Sequence, residues 1–375
     1  MDALNYTKEL VAFESTSNLS NLAVSDYVET TLKGLGFEIE RLEYDDAKGV
    51  RKANIIGRKG SGKGGMAYFA HTDVVPADPW FTDEFGPFTP TLKDDKLFGR
   101  GTCDMKGSIA CMLAAAKQYA DRDLKHPLYI TCTADEEVGY HGARNVAEKS
   151  SIYREMVEGE AHGIIGEPTR LEVVYAHKGT YGFQAISHGR AAHSSLSTGI
   201  NANLAMIPFL VEMKKLYEEC MTDPRWQNAE FDPPTNGWNI GINDRTNAVN
   251  ITPPQSICTV YFRPMPGQDP DELVTRAREA AEQCGIEFQF KCGGQPVYTQ
   301  PSSPFVKEVL QFAGKEQAKT VSYGTDGSQF TEMKNIVVFG PGDIGQAHTH
   351  DEFIELEQLE QGTQKFGDLI QHWCC

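Results

Sequence analysis

Histidine and carboxylate side chains recur where the apolar runs of this chain come to an end. "YFAHTDVVPADPW", Tyr68 to Trp80, carries His71 and Asp73 two residues apart; "GRGTCDMKG" carries Asp104, "TADEEVG" carries Glu136 and Glu137, "GEPT" carries Glu167, and "GQAHTHDEF" carries His348. If the first run is a strand, alternation puts His71 and Asp73 on one face at its C-terminal end. A metal-bound imidazole usually donates its other N–H to a carboxylate, which fixes the tautomer and the ring plane. A lone His and Asp near a strand end also describes a solvated turn, so this pair alone decides nothing. Collected, two histidines and several carboxylates make a set of nitrogen and oxygen donors that suits zinc, with cobalt or manganese as substitutes. One bridging carboxylate would allow two metals about 4 Å apart, an arrangement that activates a water and polarises a carbonyl together.

Such residues need elements to aim them. Val24, Val28, Leu32 and Leu35 fall at helical spacing and end at Gly36; "ANIIG" and "GMAYFAH" read as strands; Ile109, Met112, Leu113 and Ala116 return to helical spacing. "PLYITCTADEEVG" and "AHGIIGEPT" are further apolar runs that close on acids and a turn. This alternation predicts an α/β fold with a mainly parallel mixed sheet and helices on both faces, where ligands gather at the C-terminal strand ends. From about His177 the pattern changes. "YGFQAISHG", a helical run through Met206, Leu210, Met213 and Tyr217, "ICTVYFRPMP", a helix from about Pro270 and "IEFQF" suggest a small α+β domain, after which a helix from about Pro304 and the strand "NIVVFGPG" rejoin the first sheet.

Composition narrows the partners. The 375 residues leave room for about two or three domains. Lysine and arginine total 35 against 52 acids, a net charge of −17, which speaks against a nucleic-acid or anionic-membrane partner. No apolar run approaches the ~20 residues of a membrane helix, and "MDALNYTKEL" is acidic and mixed where a signal peptide would be basic and then apolar, so a cytoplasmic location is expected. The nine cysteines are odd in number and lack any C-x-x-C spacing, as expected for reduced thiols.

With these five motifs in this order, the chain resembles the acetylornithine deacetylase and succinyl-diaminopimelate desuccinylase family of di-zinc amidohydrolases and metallopeptidases, over essentially its whole length. The resemblance implies a zinc-peptidase-like catalytic domain, residues 1–176 and 293–375, with an inserted dimerisation domain, residues 177–292. It implies that His71 and Glu167 bind one Zn2+, Glu137 and His348 another, that Asp104 bridges them, that Asp73 orients His71, and that Glu136 is the general base. It further implies that His193 in "GRAAHSS" reaches the active site of the partner subunit in a homodimer. Asn250 in "TNAVNITP", Arg263 in "FRPMPG", and Thr325 and Gly327 in "YGTDGSQF" match substrate-contacting positions. The implied activity is hydrolysis of a small-molecule N-acyl amino acid, foremost N-acetylornithine in arginine metabolism. Desuccinylation, a di-zinc dipeptidase or carboxypeptidase, and a non-catalytic binding protein on the same fold are the alternatives.

Several of these residues have plainer readings. Asp104 precedes an apolar helix and could be its N-cap. Arg263 could pair with Asp269 at the surface, and His193 could be an ordinary loop histidine. Cys103 lies beside Asp104 but has no base in its motif, so it reads as a packing residue. His350, two residues from His348, reads as its solvated neighbour.

Overall fold

A computed structural model describes residues 2–375. The chain divides into two compact units: one holds the residues up to Ala176 with Val297–Lys319 and Thr325–Cys375, the other His177–Pro296 with Thr320–Gly324.

The first unit is built on a mixed sheet whose strands run Glu38–Asp45, Arg51–Lys59, Leu128–Thr133, Met66–His71, His162–Ile165, Asn335–Val338, Val174–His177, Val297–Tyr298 across its width. Its centre is parallel: Leu128–Thr133, Met66–His71, His162–Ile165 and Asn335–Val338 all point one way. Antiparallel pairs flank this centre on both sides, Glu38–Asp45 with Arg51–Lys59 and that strand with Leu128–Thr133 on one, Asn335–Val338 with Val174–His177 on the other. The first of these pairs is a hairpin, because a short turn reverses the chain at Asp46–Val50 where a crossover would be needed to keep it parallel.

Every residue of Met66–His71 is buried, as expected of a strand covered on both faces. Tyr68 reaches one face, its hydroxyl 2.7 Å from Ser108 Oγ, while Phe69 stacks on Phe330 from the other. The helix Lys106–Lys117 is buried from Lys106 through Ala116, and its small residues let it lie between the sheet and the helices Ala3–Val11 and Leu356–Cys374. A three-stranded sheet of Thr91–Lys93, Lys96–Phe98 and Phe353–Glu355, which the periodicity did not reveal, joins the two stretches that follow Asp73 and His348. No helix among the described residues is long and apolar enough to cross a membrane.

The second unit has a four-stranded antiparallel sheet in the order Asn239–Asn243, Gln255–Phe262, Thr180–His188, Glu287–Gly294. Helices Ala202–Thr222 and Pro270–Gln283 close its core, where Phe183, Cys258 and Phe262 meet Phe209, Met213, Leu273 and Ala277. The opposite stripe of the first helix, Leu204, Ile207 and Val211, is exposed, as is Ile242 on the edge strand.

Candidate metal centre

The four parallel strands deliver their acids and histidines to one end of the sheet. His71 is the last residue of Met66–His71, Glu136 and Glu137 follow Thr133 by three and four, Glu167 follows Ile165 by two, and His348 lies in the loop after Asn335–Val338. Carboxyl ends of neighbouring parallel strands are where open α/β sheets bind ligands. At Gly166 a side chain is forbidden: a Cβ would stand 2.3 Å from the Tyr68 hydroxyl and 2.5 Å from Ser108 Oγ. Glycine there lets the chain pass close enough for Glu167 to enter the site.

Three donor sets emerge, each with atoms within 4.8 Å of one another: His71, Asp104 and Glu167; Asp104, Glu137 and His348; and His71, Glu136 and Glu137. Asp104 is common to the first two. Its Oδ1 is 3.1 Å from His71 Nε2 and its Oδ2 3.4 Å from His348 Nε2. Glu167 Oε1 lies 3.6 Å from His71 Nε2, and Glu137 Oε2 lies 3.0 Å from His348 Nε2. His71, Asp104 and Glu167 are buried, whereas His348 is exposed and sits at φ +63°, a left-handed conformation that histidine tolerates better than most residues.

The expectation for Asp73 needs correction. The strand ends at His71, so Asp73 lies beyond it; His71 Nδ1 meets the Asp73 main-chain oxygen at 2.9 Å, while the carboxylate stands off at 3.6 Å. A carbonyl partner makes Nδ1 the protonated nitrogen and leaves Nε2 facing Asp104 and Glu167. The Asp73 carboxylate instead receives the Glu136 N–H at 3.1 Å and, more weakly, the Glu137 N–H at 3.4 Å. Glu136 and Glu137 lie where the chain turns, with Asp135 at φ +59° and the Tyr140 N–H returning to the Glu136 carbonyl.

The charges do not balance. Burial resists ionisation of Asp104, but hydrogen bonds to His348 and His71 outweigh it and hold the carboxyl below its usual range. Burial pushes Glu136 and Glu167 well above theirs, neighbouring carboxylates adding to the effect and His71 opposing it. Burial and then Asp104 raise Glu137, against His348. Burial disfavours protonated His71, yet Asp104, Glu167 and Glu136 raise it overall; hydrogen bonds to Asp104 and Glu137 lift His348 to about 10. Protons are therefore held more readily at Glu136, Glu137, Glu167, His71 and His348 than they would be in water. Divalent cations would replace those protons with charge, and two sets of nitrogen and oxygen donors sharing one carboxylate fit them.

The alternatives for single residues also resolve. Asp104 is not the helix cap: Met105 holds that position and no side chain caps it. The Cys103 thiol is pushed far up by burial, then by Glu352 and Asp104, and donates to the Asp343 carbonyl at 3.2 Å, so it is no thiolate nucleophile. His350 is exposed and offers only its carbonyl, to the Phe81 N–H. Asp269 caps the helix Pro270–Gln283 through the Asp271 N–H and is not the partner of Arg263. In the second unit, Arg263 is half-buried with its guanidinium 5.3 Å from the centre of the Tyr261 ring, Asn250 is exposed, and exposed His193 has Nδ1 2.7 Å from Ser195 Oγ. Thr325 and Gly327 are buried: the Thr325 hydroxyl accepts the Gly327 N–H at 3.1 Å, and a Cβ on Gly327 would stand 2.4 Å from Ile165 Cδ1. That amide is thus engaged within its own turn.

Two acids escaped the sequence reading. Asp326 is buried, pushed to about 7 by burial against the hydrogen bond from Thr133, and stands near enough to Glu136 and Glu167 to raise both. It lies between Thr325 and Gly327, in a motif read for its neighbours. Glu352 is fully buried; it accepts from Cys103 N at 2.8 Å, Asp104 N at 3.0 Å, Gly101 N at 2.9 Å and Arg100 Nη1 at 2.6 Å. Arg100 Nη2 also reaches the Thr349 carbonyl at 2.9 Å. This pair fastens the Asp104 loop to the His348 loop, and "HTHDEF" contains no local signal of it.

Comparison with known proteins agrees with this geometry. The profile of the peptidase family M20/M25/M40 matches residues 67–372, and the chain belongs to that family. It is thus a metal-dependent hydrolase. An acetylornithine deacetylase of Myxococcus xanthus is 34% identical over 379 residues, 98% of this chain and 96% of its own. The acetylornithine deacetylase of Proteus mirabilis is 34% identical, covering 98% and 94%. Among solved structures, an M20 family metallo-carboxypeptidase from Sulfolobus solfataricus shares the fold with a TM-score of 0.76 at 17% identity, covering 100% and 99%. Human carnosine dipeptidase 1 does so at 0.74 and 18%, covering 98% and 95%. A dinuclear metal-binding peptidase of the M20 family from Bacillus subtilis has a TM-score of 0.63 at 15% identity, covering 98% and 96%.

Proposed function

We propose that this chain is a di-zinc deacylase of N-acyl amino acids, with N-acetylornithine as its favoured substrate. The observation that carries the reading is the placement of Asp104, whose two oxygens face the Nε2 atoms of two different histidines at 3.1 and 3.4 Å. His71, Asp104 and Glu167 would hold one ion, and Asp104, Glu137 and His348 the other. Bound there, the ions supply Lewis acidity toward the amide carbonyl and lower the pKa of a water. Glu136 is the general base: it takes the proton of the attacking water and delivers it to the departing nitrogen. Burial raises this carboxyl above its usual range, the direction that favours holding a proton between its two transfers. Arg263 would receive the substrate α-carboxylate through paired hydrogen bonds, and Asn250 is assigned a substrate contact on the family resemblance.

The preference for an acetylated amino acid rests on relatives named acetylornithine deacetylase at 34% identity along nearly the whole chain. A homodimer through the second unit is supported by the exposed stripe Leu204, Ile207 and Val211 beside the open edge strand Asn239–Asn243, both of which a second copy would cover. His193 is assigned to the partner's site on the family resemblance. Nine free thiols suit a reducing compartment such as the cytoplasm.

The reading is tested by assaying the zinc-loaded protein against N-acetylornithine, other N-acetyl amino acids, N-succinyl-diaminopimelate and dipeptides. N-Acetylornithine is expected to exceed the dipeptides in kcat/KM by about 10² or more. A dipeptide preferred over every acyl amino acid would transfer the reading to a dipeptidase on the same metal centre.

A further inference from the structure

The stretch between the helices Ala3–Val11 and Leu22–Gly34 contains none of the residues proposed as ligand, base or substrate contact, yet it is fastened like core. Thr16 pairs with Val74 as an isolated parallel bridge, the Ser17 N–H donates to the Val74 carbonyl at 3.1 Å, and Ser15 Oγ donates to the Thr72 carbonyl at 2.6 Å. Two buried ammonium groups hold it from below. Lys106 Nζ donates to the Phe13 carbonyl at 2.8 Å, and Lys52 Nζ donates to the carbonyls of Ser17 and Leu19 at 2.7 Å each.

One side chain of the stretch reaches toward the site. Ser17 Oγ donates to Asp73 Oδ2 at 2.7 Å, with both residues buried. Asp73 Oδ1 accepts the Glu136 N–H at 3.1 Å. From the other side Asp135 receives Lys52 Nζ at 2.8 Å and the Tyr44 hydroxyl at 2.8 Å. The ring closes on itself: Ser17 to Asp73, Asp73 to the turn at Glu136, Asp135 to Lys52, and Lys52 back to the Ser17 carbonyl. The Asp73 carboxylate lies within this ring, both of its oxygens accepting hydrogen bonds. Its donors are the Ser17 hydroxyl and two amides, one of them weak at 3.4 Å, and the His71 ring waits 3.6 Å from Oδ1. Removing one partner leaves a buried acceptor oxygen short of a hydrogen bond, which is costly. Without the Ser17 hydroxyl, Oδ2 would keep only the weak Glu137 amide at 3.4 Å, and the hold of the carboxylate on the Glu136 turn would loosen.

We propose that Ser17 is a positioning residue for the hydrolytic reaction, its hydroxyl holding the Asp73 carboxylate in the orientation that fixes the Glu136 turn. The inference rests on Glu136 being the general base. Ser17 touches neither substrate nor ion; it acts through Asp73 on the direction of the base.

The test compares wild type, Ser17→Ala and Ser17→Thr as full-length, zinc-loaded proteins on the acyl amino acid that wild type hydrolyses best. Ser17→Ala should lose about tenfold in kcat, the scale of one hydrogen bond to a charged group, with KM within about twofold because the substrate contacts are untouched. Hydrogen exchange at the Glu136 and Glu137 amides should quicken in metal-loaded and metal-free protein alike, and Ser17→Thr, which keeps the hydroxyl, should restore both kcat and protection. Ser17→Cys, which substitutes a weak donor at similar volume, replaces the alanine variant if that one does not fold. An unchanged kcat overturns the proposal, as does a loss that threonine fails to rescue. If wild type hydrolyses none of the substrates, the functional reading fails separately, and the exchange measurement still decides: unchanged protection of the two amides in folded Ser17→Ala overturns the role of Ser17.

Discussion

Glu136 and His348 carry the sharpest consequences at the scale of single residues. Replacing Glu136 by Gln removes the proton acceptor and keeps the shape, so kcat should fall by about 10² to 10⁴ while zinc content and melting temperature stay near wild type. Turnover close to wild type, with zinc bound, would put the base elsewhere. His348 concerns the metal-free state. Hydrogen bonds to Asp104 and Glu137 lift it to about 10, so at pH 7 it carries a proton that zinc must displace. Zinc uptake should therefore release protons at neutral pH, and affinity should rise with pH until it passes that value. Calorimetry in buffers of different ionisation enthalpy measures the release, and uptake without protons would contradict the charge balance drawn for the site.

At the scale of elements, what the sequence made legible follows from periodicity and strand ends. The central strands and the helices from Leu22 and Lys106 announced themselves through spacing, and His71, Asp104, Glu137, Glu167 and His348 stood out because each ends an apolar run or opens a turn. Other features depend on contacts between distant segments. Glu352 can be buried because Arg100, 252 positions away, supplies its charge partner and the amides of Gly101, Cys103 and Asp104 donate to it. The small sheet that joins Lys96–Phe98 to Phe353–Glu355 is likewise set by tertiary pairing of segments too short to declare themselves. The Arg100 pair implies a distinct outcome. Glu352→Gln leaves a buried guanidinium without a countercharge and should cost about 3 kcal/mol of stability, since breaking a buried ion pair typically does. Because the same side chain holds the Asp104 amide, zinc affinity should fall together with the thermal midpoint; a variant with normal zinc affinity would show that the Asp104 loop keeps its shape without Glu352.

At the scale of the whole molecule, the proposed second copy can be tested. If His193 serves the partner's site, a mixture of inactive His193→Ala and Glu136→Ala proteins should recover activity on subunit exchange, because a mixed dimer then has one site with neither defect. Random exchange would give roughly a quarter of wild-type activity, since about half the dimers are mixed and each has one good site of two. No recovery after demonstrated exchange would return His193 to its own chain. The resemblance could suggest this arrangement, but the spacing of residues along one chain contains no information about a neighbouring copy.

Metal dependence is the claim on which the rest stands, and titrating zinc into the metal-stripped chain tests it most directly, with bound metal and N-acetylornithine hydrolysis followed on the same samples. The account predicts about two ions bound per chain, through His71, Asp104 and Glu167 and through Asp104, Glu137 and His348, with activity absent without zinc and restored as the sites fill. Hydrolysis at the full rate by protein shown to contain no metal would contradict it.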